Sequence, residues 1–193
     1  MGGVRYEDAL ALVRDTLSSK AARHCQRVAD SAAALATTYK VDVSEARLAG
    51  LLHDLDRERP GADLLAEARA AGLALCDVDV ANPHLLHARI GAIDAARALP
   101  GLDDEIVSAI ARHTLGAPQM SDLDMVVFIA DMIETHRDYA GVEELRAAVG
   151  RVGLFALFAQ AYSHSVHHLV DAGKLIHPQT VAVWNWIVAG DGA

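Results

Sequence analysis

The dipeptide His53–Asp54 stands inside the run LAGLLHDLD, which is otherwise apolar and reads as a helix. Imidazole and carboxylate side chains together suit first-row transition metals. Adjacent positions on a helix point about 100° apart, so the two side chains can share a metal centre only where the edge of the helix faces a cleft. The dipeptide therefore indicates a helical chain that borders a polar cleft.

Further histidine and aspartate residues occur in similar apolar, helical contexts. They are His24 in RHCQRVAD, His87 in PHLLHARIGA, His113 in AIARHTLG and Asp131 in VVFIADMIE. Ligands that project from several helices of an apolar bundle are a known way to build a metal site. The chain has 10 histidines, so no single one is informative, but the combination indicates a metal site.

Several of these positions have a second interpretation. His113 stands in the last turn of its helix, where a histidine also stabilises the helix C-terminus. Either His84 or His87 could point inward, because they lie one turn apart. Asp131 lies either on a solvated face with the other acids of its helix, or in a central buried helix where a carboxylate needs a cation or a metal.

The whole chain has the pattern of an all-α protein. Apolar residues recur at helical spacing from YEDALALVRDTL to HPQTVAVWNWIVAG, and no segment alternates as a strand does. The stretch LALCDVDVANP reads as a loop in which Asp77 and Asp79 are solvated charges. A chain of 193 residues can bury about 70% of its unfolded surface, so we predict one helical domain over residues 1–193.

The net charge and composition limit the classes of partner and the cellular location that we expect for this chain. A formal net charge of −9 argues against direct DNA binding, which needs clustered lysine and arginine, but allows a small phosphorylated substrate if metal ions supply positive charge. Cys25 and Cys76 form no CxxC motif and read as ordinary buried thiols of a reducing cytoplasm. The sequence shows no signal peptide and no apolar run of about 18 residues, so we expect a cytoplasmic protein without a membrane span. Its apolar helices are compatible with a homodimer.

In its order, H…HD…H…H…D, this set resembles the HD-domain metal phosphohydrolases. The segments LLHDLDR, NPHLLHARIGA, AIARHTLGAPQMSDLD, IADMIETHRD and HPQTVAVWNWIV are similar to the YqeK-type family of bacterial symmetrical diadenosine tetraphosphatases. The similarity extends from about residue 20 to residue 188 and implies an all-α HD-domain helical bundle. It also implies a dinuclear transition-metal centre, with iron expected first and manganese or cobalt as alternatives. The implied ligands are His24, His53, Asp54, His87, His113 and Asp131.

The resemblance also implies a reaction, in which a metal-activated water splits the dinucleoside tetraphosphate into two ADP. Asp54 would bridge the ions, and Arg57 and Arg137 would be catalytic, because the planar guanidinium group fits phosphate oxygens. The segment Lys174–His177 would close over the nucleoside. The implied substrate-binding residues are His24, Arg57, His87, His113, Thr114, Arg137, Lys174, Ile176 and His177.

Some positions depart from the family pattern, and other functions stay open. Ala21 replaces a usual arginine, with Lys20 and Arg23 nearby, while Arg89 and the pair 135–136 replace residues typical of the family. One alternative is another HD-family nucleotide phosphohydrolase or phosphodiesterase. A second is a non-catalytic HD module that senses metal or nucleotide, and a third is a helical interaction protein.

Overall fold

The structure, a computed structural model, describes residues 3–190, so the first two and last three residues of the predicted domain lie outside it. Within that range it contains eleven α-helices, one 3₁₀ turn and no strand, which confirms the all-α prediction. The helices are α1 Tyr6–Thr16, α2 Ser19–Tyr39, α3 Val43–Leu52, α4 Gly61–Ala70, α5 Asp77–Ala81, α6 His87–Ala98, α7 Asp104–Arg112, α8 Asp122–Ile133, α9 Val142–Ala148, α10 Leu154–Asp171 and α11 Pro178–Ala189. The 3₁₀ turn is Pro83–Leu86. No helix between residues 3 and 190 is long and apolar enough to cross a membrane.

The helices begin where short polar side chains satisfy free backbone N–H groups. The Ser18 hydroxyl caps α2, and the Asp42 carboxylate accepts from two backbone N–H groups at the start of α3. Ser121 and Asp124 form a reciprocal capping box at the start of α8. These local signals place the starts of three helices that carry or precede ligand residues.

Four helices, α2, α3, α7 and α8, make up the centre of the fold. Helix α2 packs against α3 and α8, and α7 packs against the same two helices. Nine of the twelve residues of α8 are buried, which confirms a central position for this helix. One of the nine is Asp124, whose carboxylate pairs with Arg112 at 2.6 Å, so the acids of α8 do not form a solvated face.

Gly50 allows α2 and α3 to approach closely. A Cβ atom at this position would lie 3.0 Å from the Ala29 Cα atom and 3.1 Å from the Val28 carbonyl oxygen. Both are backbone atoms, which cannot move aside as a flexible side chain could. The approach brings the end of α3 next to the first turns of α2.

The structure differs from the sequence pattern at several helix ends. Helix α3 stops at Leu52, so His53 and Asp54 follow it instead of lying within it, and Pro83 opens a 3₁₀ turn that places His87 first in α6. The predicted loop contains α5, because the buried Asp79 carboxylate accepts from the backbone N–H of Cys76 at 3.0 Å. The prediction of a solvated Asp79 is therefore wrong, whereas Asp77 is exposed.

Candidate metal centre

Six histidine and aspartate side chains meet at one end of a cavity of about 870 Å³. Two lie within α2 and α8, one begins α6, one follows α7, and the adjacent pair follows α3. Five of the six line the cavity, and His53 lies fully buried beneath them. The six residues are His24, His53, Asp54, His87, His113 and Asp131.

Asp54 is at the centre of this group, and its two carboxylate oxygens face different histidines. Its Oδ1 atom lies 3.0 Å from Nε2 of His87 and 3.4 Å from Nε2 of His113. Its Oδ2 atom lies 3.4 Å from Nε2 of His53 and 3.7 Å from Nε2 of His24. The carboxylate thus divides the histidines into two pairs, as a ligand shared between two cations would.

Asp131 joins only one of the two pairs. Its Oδ1 atom lies 3.1 Å from Nε2 of His24 and 3.8 Å from Nε2 of His53. On the other side of Asp54, the Nε2 atoms of His87 and His113 lie 3.2 Å apart. The donor set is therefore asymmetric, with two histidines and a carboxylate on one side and two histidines on the other.

Backbone carbonyls orient three of the four histidines. The Nδ1 atoms of His53, His87 and His113 each contact the carbonyl oxygen three positions earlier, at 2.8 Å for His53 and 2.7 Å for His113. Gly50 and Ile110 lie in the last turns of α3 and α7, where carbonyl oxygens lack an intrahelical partner. The His84 carbonyl lies in the 3₁₀ turn and also accepts from the backbone N–H of His87. With Nδ1 donating to the carbonyl, Nε2 is the ring atom directed toward Asp54, which is the orientation that metal binding needs.

Electrostatics and hydrogen bonding show that this donor set fits a cation. Burial lowers the pKa of His53, but the charges of Asp54 and Asp131 outweigh it and raise that pKa to about 9. Burial works against ionisation of Asp54, yet the surrounding histidines hold its pKa well below the usual range. The buried Nε2 atom of His53 finds no hydrogen-bond partner anywhere in residues 3–190. A positive charge at this point would satisfy both the carboxylates and that nitrogen.

A rim of cationic side chains surrounds the same cavity. Arg27 pairs with Glu134 at 2.7 Å, and Arg137 pairs with the Asp131 carboxylate while its Nε donates to the Asp131 carbonyl at 2.8 Å. Two further cations in the cavity lining form no ion pair within the described chain. They are Lys20 and Arg57. Thr114, with its hydroxyl 3.0 Å from Nε2 of His113, also lines the cavity.

The segment Lys174–His177 does not line this cavity. Lys174 and Ile176 are exposed and are not among the residues that line the cavity. His177 is buried and caps α11, because its Nδ1 atom accepts from the backbone N–H of Gln179 at 3.0 Å. Contact between this segment and a nucleoside stays a prediction.

A second cluster of metal-competent side chains forms around His177. Its Nε2 atom lies 3.2 Å from the Cys76 sulfur and 3.4 Å from Oδ2 of Asp79. Since Nδ1 accepts from Gln179, the ring hydrogen lies on Nε2, where it is a donor and not a metal ligand. The cluster is therefore a hydrogen-bonded link between α5 and α11, and Cys76 is half-buried in it.

Two residues of the site were not predicted from the sequence. Glu134, which a solvated face around Asp131 would expose, is only 2% exposed, and Arg27 binds it. A signal was present: Arg27 follows His24 by three positions and Glu134 follows Asp131 by three, so each pair shares one helix face. That pattern becomes informative only when α2 and α8 are known to be neighbours.

Comparisons with known proteins agree with this geometry. The family model described as HD domain matches residues 21–136. A symmetrical bis(5'-nucleosyl)-tetraphosphatase of Bacillus subtilis (strain 168) is 30% identical over 184 residues, which cover 95% of this chain and 98% of that protein. The enzyme of the same description from Halalkalibacterium halodurans is 30% identical over 180 residues, covering 93% and 95% of the two chains.

A solved structure supports the same relationship. It is a Clostridium acetobutylicum protein described as a predicted HD superfamily hydrolase involved in NAD metabolism, with a TM-score of 0.90 and 32% sequence identity. The alignment covers 98% of this chain and all of that chain (100%). The shared architecture thus extends over almost the full length of both proteins.

Proposed function

The chain belongs to the HD-domain family, among the relatives of the symmetrical bis(5'-nucleosyl)-tetraphosphatases, and from this premise we propose that it hydrolyses diadenosine tetraphosphate and related dinucleoside polyphosphates. One water is consumed and two ADP are formed. The main support in the structure is the position of Asp54, whose two oxygens face two separate histidine pairs at the end of a cavity with a cationic rim. This arrangement combines a two-cation donor set with a place for a polyanion.

The donor set suits a dinuclear transition-metal centre, with iron as the first expectation and manganese or cobalt as alternatives, since all accept imidazole and carboxylate ligands. His24, His53 and Asp131 would hold one ion, His87 and His113 the other, and Asp54 both. When bound, two such ions lower the pKa of a water molecule and stabilise charge at phosphorus. Backbone carbonyl groups fix the orientation of three of the four histidine rings in this donor set.

The protein's own cations would bind and orient the substrate. A tetraphosphate is densely negative, and Lys20 and Arg57 form no ion pair in the described chain, so they are available for its oxygens. The Arg137 guanidinium is fixed by Asp131 and points along the same cavity wall, where it could contact a phosphate on the metal side. A cavity of about 870 Å³ lies in the upper part of the usual range for ligand sites, about 300–1,000 Å³.

Symmetrical cleavage requires a defined position of the phosphate chain. Breaking the tetraphosphate into two ADP means that the bridge between the second and third phosphates is cut. Binding of one ADP half by the cationic rim would place its outer phosphorus beside Asp54 and His113, and the other ADP would leave. The position of the cut is therefore set by how far the rim lies from Asp54.

The experiment is product chromatography after incubation of purified protein with diadenosine tetraphosphate, together with measurement of its bound metal. ADP as the sole product supports the proposal, and Asp54→Ala is expected to abolish turnover in a folded protein. ATP plus AMP would refute symmetrical cleavage. Unchanged substrate from protein that holds two metal ions would refute the proposed substrate and favour another nucleotide or a sensing role.

A further inference from the structure

His24 differs from the other three histidines in how its outer nitrogen is satisfied. It lies inside α2, which runs from Ser19 to Tyr39. In a helix interior the backbone carbonyls already accept from N–H groups four residues later, so Nδ1 of His24 needs an acceptor from another element. That acceptor is Oε1 of Glu134, at 3.4 Å, in the residue that ends α8.

The Glu134 carboxylate is held by further contacts. Its Oε2 atom accepts from Nε of Arg27 at 2.7 Å and from the backbone N–H of His136 at 2.9 Å. The side chain is 2% exposed, so Arg27 provides the counter-charge that a buried carboxylate requires. Oε1 also accepts from Nη2 of Arg27 at 3.4 Å, so the oxygen that faces His24 is held by the same guanidinium group.

His24 consequently lies between two carboxylates from successive turns of α8. Its Nε2 atom is 3.1 Å from Asp131, and its Nδ1 atom is 3.4 Å from Glu134. A neutral ring has one hydrogen, which either carboxylate could accept. If the hydrogen lay on Nε2, that nitrogen would have no lone pair for a metal ion. The ring needs its hydrogen on Nδ1, and Glu134 is the acceptor there.

We propose that Glu134 is a positioning residue for His24: it accepts the Nδ1 hydrogen, keeps the Nε2 lone pair toward Asp131 and is itself held by Arg27. The inference rests on the proposed function only in taking His24 as a metal ligand. Outer partners of metal-bound histidines typically change metal affinity by about 10–100-fold when they are removed. The affected ion is the one on the His24 side of Asp54.

The test compares Glu134→Ala and the isosteric Glu134→Gln with Glu144→Ala, an exposed control on α9. Long-range ¹H–¹⁵N spectra of the metal-free protein report which ring nitrogen of His24 carries the hydrogen. Competition with a metal chelator reports the affinity of each ion. In wild type and in the control we expect a larger fraction of the hydrogen on Nδ1 than in Glu134→Ala, because a carboxylate faces each ring nitrogen.

In Glu134→Ala we expect the hydrogen to shift to Nε2 and the affinity for one ion to fall about 10–100-fold, with a smaller fall in Glu134→Gln because its amide oxygen can still accept. The affinity for the second ion should change little. Loss of thermal stability with an unchanged tautomer and unchanged metal affinity would overturn the proposal. Wild-type protein that binds metal as expected but leaves the tetraphosphate intact would instead refute the proposed substrate.

Discussion

At the scale of single residues, the four cations of the rim differ in whether they have an acidic partner. Arg27 and Arg137 are bound to Glu134 and Asp131, which fixes the positions of their guanidinium groups. Lys20 and Arg57 line the same cavity without an ion pair in the described region. Charged side chains without a protein partner, directed at a cavity, are those that a polyanionic ligand can use.

We expect Lys20→Ala and Arg57→Ala each to lower kcat/KM for diadenosine tetraphosphate by about 10–100-fold, because each removes a charged hydrogen bond worth about 1.5–3 kcal/mol. Arg23→Ala is the matched control, since Arg23 belongs to the same part of α2 but is exposed and does not line the cavity. Steady-state kinetics of the three variants test this. Equal effects of Lys20→Ala and Arg23→Ala would assign Lys20 to the solvated surface.

Asp79 offers a pH-dependent test of the link between α5 and α11. Burial works against its ionisation, but the Cys76 backbone N–H and the Arg89 guanidinium lower its pKa below the ordinary value. A lowered folded-state pKa contributes stability above the unfolded value, near pH 4, and this contribution disappears as the pH falls through the folded value. Asp79→Asn should therefore lose about 1–3 kcal/mol at neutral pH and progressively less in acid.

Chemical denaturation across this pH range measures the effect. Asp77→Asn is the control, because Asp77 is exposed on the same short helix and should change the free energy of unfolding by less than about 0.5 kcal/mol. A difference between Asp79→Asn and wild type that stayed constant into acid would show that the charge of Asp79 contributes nothing.

At the scale of elements, three of the four histidines of the site lie at the ends of helices. His53 and His113 directly follow α3 and α7, and His87 follows the 3₁₀ turn that precedes α6. At these positions a backbone carbonyl three residues earlier contacts Nδ1 of each ring and orients it. His24 is the exception inside a helix, and it uses a side chain from α8 for the same purpose.

Gly50 and Gly91 provide a matched pair of helical glycines near the site. We expect Gly50→Ala to destabilise the protein by about 1–3 kcal/mol through overpacking and to weaken metal binding, because it would push the end of α3 away from α2. A Cβ atom added at position 50 would lie 3.0 Å from the Ala29 Cα atom. A Cβ atom added at position 91 would lie 3.6 Å from its nearest neighbour, the backbone nitrogen of Asp56, which is an ordinary van der Waals distance. Gly91→Ala should be neutral or stabilising by up to about 1 kcal/mol.

Thermal unfolding and metal content of the two variants give the comparison. Similar losses in both would mean that the close approach of α2 and α3 can relax, and that it does not control the position of His53.

At the scale of the whole molecule, the six residues of the proposed metal centre connect five helices. The residues come from α2, the end of α3, the start of α6, the end of α7 and α8. A cation bound there contacts elements that are far apart in sequence. Metal binding at this site would therefore be linked to the stability of the folded chain.

We expect removal of metal by a chelator to lower the thermal midpoint. A ligand present at a hundredfold its Kd stabilises a fold by about 2.7 kcal/mol, which corresponds to roughly 5–10 °C for a protein of this size. Differential scanning calorimetry with and without metal measures the shift, and Asp54→Ala should show none. Identical midpoints for wild-type protein in both conditions would contradict linked metal binding.

The sequence by itself was sufficient for the helical class, because apolar spacing is a local property that survives without knowledge of neighbours. It also identified the residue types and the order of the six metal-competent side chains, together with the family to which they belong. The comparison with known proteins confirms the family. The roles of the individual site residues remain predictions.

Only the tertiary structure decided which side chains face one another. It placed His87 inward and left His84 exposed, ended α3 before His53, and buried Asp124 and Glu134, which decides between the two interpretations of the helix that carries Asp131. It also joined residues more than one hundred positions apart, as in the contacts of His24 with Glu134 and of Cys76 with His177. Such contacts depend on how helices pack, and a local pattern carries no information about which distant helix will supply the partner.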